Sequence, residues 1–208
     1  MRFRHILICA LIFGGLASTW AAAQKVERIG APPASVPNVL RQAVGDAGYR
    51  VVLDGGWTAE FWFAKQLKTE KKDVPGALYP KLTNGEFVGV VSLAQAMTDY
   101  RGQNLPAGTY TLRYEMLPQD GNHLGVAPNH DFLLTIPAAN DAQPDENYAY
   151  KKMVALSAKS TGSNHPGVVA MESAGEAGGV AKQERETVFS VAVGGEKLGI
   201  VVKETAGE

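Results

Sequence analysis

The chain has 208 residues, with 20 Lys and Arg against 21 Asp and Glu, a formal charge of −1 and one cysteine. A balance this close, with no long block of one sign, carries no electrostatic footprint for nucleic acid or an anionic membrane surface. A single thiol closes no internal disulfide, and a chain of this length can bury roughly 70% of its unfolded surface in one core without such a staple.

At the N-terminus, Arg2, Arg4 and His5 precede the apolar run Ile6 to Trp20, and Ala21-Ala22-Ala23 stands before Gln24. A basic start, an apolar centre and small residues ahead of a cut are the three parts of a secretory signal peptide, so 1–23 is expected to be removed. The run is shorter than the roughly 20 residues that cross a bilayer as a helix. No membrane insertion is therefore expected after cleavage. Cys9 departs with the signal, and the loss of Arg2 and Arg4 moves the formal charge to about −3. A cysteine-free single domain, 24–208, with no Asn-x-Ser/Thr acceptor leans towards a bacterial periplasmic or secreted protein.

Beyond Gln24, the prolines of Ala31 to Pro37 favour an extended lead. Ser35 is placed to cap a short helix over 37–44, with Val36, Leu40 and Val44 at helical spacing. Arg50 to Leu53 and Thr58 to Ala64 read as a hairpin around Asp54-Gly55-Gly56. The segment 65–85 is broken by Pro75, Gly76 and Pro80 and is expected to cross the surface, its Lys65, Lys68, Lys71 and Lys72 forming a solvated face with Glu70 and Asp73. Phe87 to Leu93 is the next strand. After Pro106-Ala107-Gly108, the residues Tyr110, Leu112, Tyr114 and Met116 alternate with Thr109, Thr111, Arg113 and Glu115. That period of two predicts a half-buried strand with its polar side in water.

Phe132 to Ile136 is a short apolar strand, and a helix is expected over 145–159, with Asp145 and Glu146 in its first turn, Ala149, Met153 and Leu156 as its buried stripe, and Gly162 ending it. Gly167 to Met171, Glu186 to Val193 and Lys197 to Lys203 complete the strands, the last two joined at Gly194-Gly195, while 173–182 reads as a loop. Strands that do not alternate with helices predict a mainly β fold, an antiparallel β-sandwich of immunoglobulin-like or transthyretin-like type with one or two accessory helices.

Three histidines remain after cleavage: His123, His130 and His165. With Asp131, His123 and His130 share one loop, and imidazoles beside a carboxylate can hold zinc or copper or act as a base. The gap between His123 and His130 matches no local metal-binding spacing, and a turn at Asp120-Gly121-Asn122 accounts for the same residues. Trp57 and Trp62 lie with Phe61 and Phe63 beside Glu60, either as a stacking surface for a ligand or as core. Gly-x-Ser-x-Gly, a catalytic cysteine after cleavage, and phosphate-binding glycine loops are absent from the sequence, so no cofactor and no nucleotide chemistry are expected.

The stretches SVPNVLRQAV, GYRVV, YRGQNLPAGTYTLRY, GNHLGVAPNHDFLLTIPA, SNHPGVV and EKLGIVV resemble a family of secreted bacterial proteins in which a Pro-Ala-Gly-x-Tyr-Thr-Leu strand belongs to a β-sandwich. The resemblance runs over about 36–202 and is most specific from Tyr100 to Pro137. It implies export and fold, and the family has no established activity to carry over.

The expected function is therefore a non-enzymatic, exported module that binds a small ligand or an envelope protein. Two alternatives stand beside it: a metal-binding protein or metal-dependent hydrolase using His123, His130 and Asp131, and a structural subunit of an envelope assembly.

Overall fold

The computed structural model describes residues 24–72, 74–99, 101–117, 129–184 and 186–204. The expected signal segment and His123 lie outside them. Among the described residues the chain forms, in order, β1 (Lys25–Ile29), α1 (Asn38–Ala43), β2 (Gly48–Val52), β3 (Thr58–Phe63), β4 (Phe87–Leu93), β5 (Met97–Thr98), β6 (Asn104–Leu105), β7 (Gly108–Met116), β8 (Asp131–Pro137), α2 (Tyr150–Thr161), β9 (Gly167–Glu172), β10 (Gly179–Gln183), β11 (Glu186–Val193) and β12 (Glu196–Glu204). Among the described residues no helix is long and apolar enough to cross a membrane.

The mainly β, antiparallel character expected from the alternation is present, but the strands are not divided into two separate sheets as in the expected sandwich. Ten of them form one sheet in the order β1-β2-β3-β4-β7-β8-β9-β12-β11-β10, and β5 pairs with β6 alone. The sheet curls until its outer strands, β1 and β10, lie against one another, giving a nearly closed barrel. The corner is β9. Its residues Gly167 to Ala170 pair with β8, whereas Met171 and Glu172 pair with β12. A strand that changes partners along its length is how one sheet bends into the next layer. At this crossing Gly199 lies so close that a Cβ would strike the Glu172 carbonyl.

The barrel is filled by the inward residues of its strands. Tyr49 of β2, Phe61 and Phe63 of β3 and Phe189 of β11 cluster there, with the Phe61 and Phe189 rings 5.3 Å apart and Tyr49 and Phe189 at 5.5 Å. Leu112 and Tyr114 of β7, Leu133 of β8 and Ile200 of β12 complete the same core. Outside the barrel a second cluster forms where α2 covers Phe132, Leu134 and Ile136 of β8 with its Met153.

That cover corrects the half-buried reading of β7. Thr111, Arg113 and Glu115 do point away from the barrel, but all three are buried, because β7 runs beside the helix-covered β8 and the segment 138–149 lies over it. The start of α2 differs for the same reason. The helix begins at Tyr150, not at Asp145, and the carbonyls of Gln143, Asp145 and Glu146 accept from Arg113 and Lys68, which holds that stretch as a wall over the sheet. Three pairings escaped the sequence: β1 is a polar, part-exposed outer strand, β5 and β6 are two residues each, and β10 occupies the segment read as a loop.

Candidate functional site

The residues singled out in the sequence do not gather at one place. His130 is half-buried at the start of β8, beside Gly76, and its Nδ1 has no hydrogen-bond partner among the described residues. His165 is exposed just before β9, whose first residue pairs with Thr135 near the far end of β8. The two imidazoles are thus a strand length apart. Asp131 is fully buried and acts as a tether, because its carboxylate accepts the Leu78 N–H at 2.7 Å, the Tyr79 N–H at 3.0 Å and the Tyr114 hydroxyl at 2.6 Å, tying the 74–80 segment to the barrel. Among the described residues no three His, Cys, Asp or Glu side chains converge as a metal cage.

The aromatic group is equally divided. Trp62 is buried on the outside of β3, its Nε1 donating to the Gly30 carbonyl at 2.8 Å. Trp57 is half-buried at the rim of a void of about 10 Å³ walled by Phe61, Leu93, Met97 and Leu105. That is about the room of one water, so this void beside Trp57 does not hold a ligand. Glu60 faces Arg50 across the β2–β3 ladder at 2.7 Å and belongs to a surface ion-pair row with Glu27.

A site the sequence did not announce lies on the other side of β4. A cleft of about 380 Å³ opens between Gln42 and Ala43 at the end of α1, the 64–68 segment after β3, Glu86 and Phe87, and Pro144 and Asp145. Lysines line it: the Lys65 Nζ donates to the Gln42 carbonyl at 2.8 Å, and the Lys68 Nζ donates to the Asp145 carbonyl and to the Asn147 Oδ1 at 3.1 Å. Both side chains are exposed, as expected of a solvated face, and their ammonium groups also bridge the segments that line the cleft. Glu86, only 3% exposed, accepts the Lys68 backbone N–H on Oε1 at 2.8 Å, while its Oε2 has no partner among the described residues. Burial pushes its carboxyl above the ordinary range, against the opposing pull of the Lys68 N–H, the Lys68 charge and the Asn147 amide.

Behind the cleft stands a buried ion pair. Arg113, fully buried, meets Asp141 with two parallel bonds, Nε to Oδ2 at 2.7 Å and an Nη to Oδ1 at 2.8 Å. Its remaining donors reach the Gly85 carbonyl at 2.8 Å, the Glu146 carbonyl at 2.6 Å and the Gln143 carbonyl at 2.7 Å. One guanidinium thus pins both walls of the cleft, the 85–86 turn on one side and 143–146 on the other. Gly85 makes the approach possible: it sits at φ +80°, and a Cβ there would come within 2.8 Å of the Tyr148 backbone nitrogen. Burial alone would push the Asp141 carboxyl up. Arg113, with hydrogen bonds from Thr111 and Tyr148, outweighs burial and holds it below the usual range.

Chemically, the cleft offers a buried carboxyl oxygen with spare hydrogen-bonding capacity, two tethered ammonium groups and the side chains of Gln42, Gln66 and Asp145 at its edge. Its one sequence signal was a charged residue, Glu86, immediately before an apolar strand, which is too common a pattern to single out. No family model, no curated protein and no solved structure matches the chain.

Proposed function

We propose that this protein is an exported, non-catalytic binding module, and that its ligand is a small polar molecule seated in the cleft beside Glu86. Export rests on the layout of 1–23 and on the absence of cysteine thereafter. Kinship with the secreted bacterial family that 100–137 resembles is part of the same reading. The observation that carries the binding half is the buried Glu86 Oε2, which has no hydrogen-bond partner among the described residues and which a donor on a ligand would satisfy. The cleft volume falls within the roughly 300–1,000 Å³ of small-molecule sites.

Amide NMR titration of the 24–208 chain with amino acids, monosaccharides and polyamines tests this. Shifts concentrated at Lys68, Glu86, Phe87 and Asp145, and weakened at least tenfold in affinity by Glu86→Leu, are expected. Saturation by none of these classes, or binding elsewhere on the barrel, would overturn the site. Reproducible hydrolytic turnover by pure protein would overturn its non-catalytic character.

A further inference from the structure

Lys68, Asn147 and Glu86 form a constellation whose chemistry goes beyond holding a ligand, although Glu86 serves both readings. Lys68 Nζ lies 3.1 Å from the Asn147 Oδ1 and is also held by the Asp145 carbonyl, so the amine is kept beside this carboxamide by two acceptors. The Asn147 Nδ2 donates to the Asn84 carbonyl at 3.3 Å, which fixes the plane of the amide. Glu86 accepts the backbone N–H of Lys68 itself, the Asn147 amide acts on its carboxyl, and its Oε2 is free of other partners among the described residues. The three residues come from the segment after β3, the start of β4 and the segment before α2, and Arg113 locks the latter two in place.

An amine held on a carboxamide, with a buried carboxyl bonded to the backbone of the same lysine, supplies the ingredients of an acyl transfer within one chain. We propose that Lys68 and Asn147 join in an intramolecular isopeptide bond, with Glu86 carrying the proton. The neutral Lys68 amine attacks the Asn147 side-chain carbonyl carbon, forming the Nζ–Cγ bond. Glu86 takes a proton from the attacking nitrogen and delivers it to Nδ2. The Cγ–Nδ2 bond breaks and ammonia leaves through the open cleft. No oxidant, metal or nucleotide is needed, since one amide replaces another and the amine displaces ammonia. Fixed proximity supplies most of the driving advantage over free amine and amide. The product would staple residues far apart in sequence in a domain that has no disulfide to do so.

Covalent linkage and ligand binding are separate properties of the cleft, and either can fail while the other holds. Intact mass spectrometry of the 24–208 chain, folded and incubated in mildly alkaline buffer to supply neutral amine, is expected to show a mass lower than the sequence by one ammonia. Digestion should then yield a branched peptide joining Lys68 to Asn147. Lys68→Arg and Asn147→Ala should keep the full mass and melt at lower temperature than the linked chain. Glu86→Gln should slow the linkage at least tenfold, with far-UV circular dichroism confirming that each variant folds. Full mass in the folded wild-type chain after incubation overturns the proposal. So does a lost ammonia that maps to an unbranched peptide, either a succinimide at Asn84-Gly85 or a cyclised Gln24. Linkage at the wild-type rate in Glu86→Gln would overturn the role of Glu86.

Discussion

Arg113 shows how far single residues can be read. Its place in a strict alternation marked it as solvent-facing, and its direction out of the barrel was indeed legible. What covers it was not, because the 138–149 segment that buries it is remote in sequence and is held by contacts between distant residues, the guanidinium's own bonds to Asp141, Gln143 and Glu146 among them. The histidines stand out by rarity, whereas Glu86 in the cleft and Glu115 on β7 are common residue types made unusual by burial. Arg113→Met leaves Asp141 buried and uncompensated, so urea unfolding should show a loss of about 3–5 kcal/mol, and the double variant with Asp141→Leu should recover much of it. Glu115 is pushed up to about 7 by burial, against hydrogen bonds from Met116 and Asn84. Because the folded state holds its proton more tightly than the unfolded chain, this group favours folding fully below about pH 4.5 and loses that contribution as pH rises through about 7. The wild-type chain should therefore lose up to about 3 kcal/mol across this window, at 1.36 kcal/mol per unit. Glu115→Gln keeps the shape, cannot ionise and should remove that decline; an unchanged pH slope would show that another group is responsible.

At the scale of elements, the strands with apolar, β-branched alternation were legible almost to their ends, since Phe87–Leu93 and Glu186–Val193 carry their burial in their own sequence. Elements whose existence depends on a partner were not. β10 is a strand because β11 offers it a ladder, and α2 starts late because its expected first turn is drawn into the cleft wall. The corner at β9 is of this second kind as well. Its geometry requires β12 to pass close enough that Gly199 has no room for a side chain. Gly199→Ala should force the crossing apart and cost about 1–3 kcal/mol or more by overpacking against unyielding backbone. A midpoint of unfolding unchanged from the wild type would mean that β9 and β12 can separate freely there.

For the whole molecule, composition and periodicity specify antiparallel β layers but do not count sheets. Two layers facing across one core look alike in sequence whether the strands belong to separate sheets or to one sheet bent at a corner, because the inward period is the same in both. The difference lies in the pairing of β9 and in the gap between the outer strands, neither of which is encoded by any one segment. That gap has a consequence for dynamics. β4, β7 and β8 are bonded on both sides, whereas β1 and β10 each hold a ladder on one side only, and β1 contributes no fully buried side chain. Local opening should therefore begin at the seam, since peeling β1 or β10 exposes few apolar groups and breaks one ladder, whereas releasing β7 requires opening the barrel. Amide hydrogen exchange is expected to protect β7 and β8 to nearly the global unfolding free energy, with β1 and β10 exchanging at least a hundredfold faster. Equal protection across all of these strands would mean that the seam is held as firmly as the ladders, and the barrel would then have to be treated as closed.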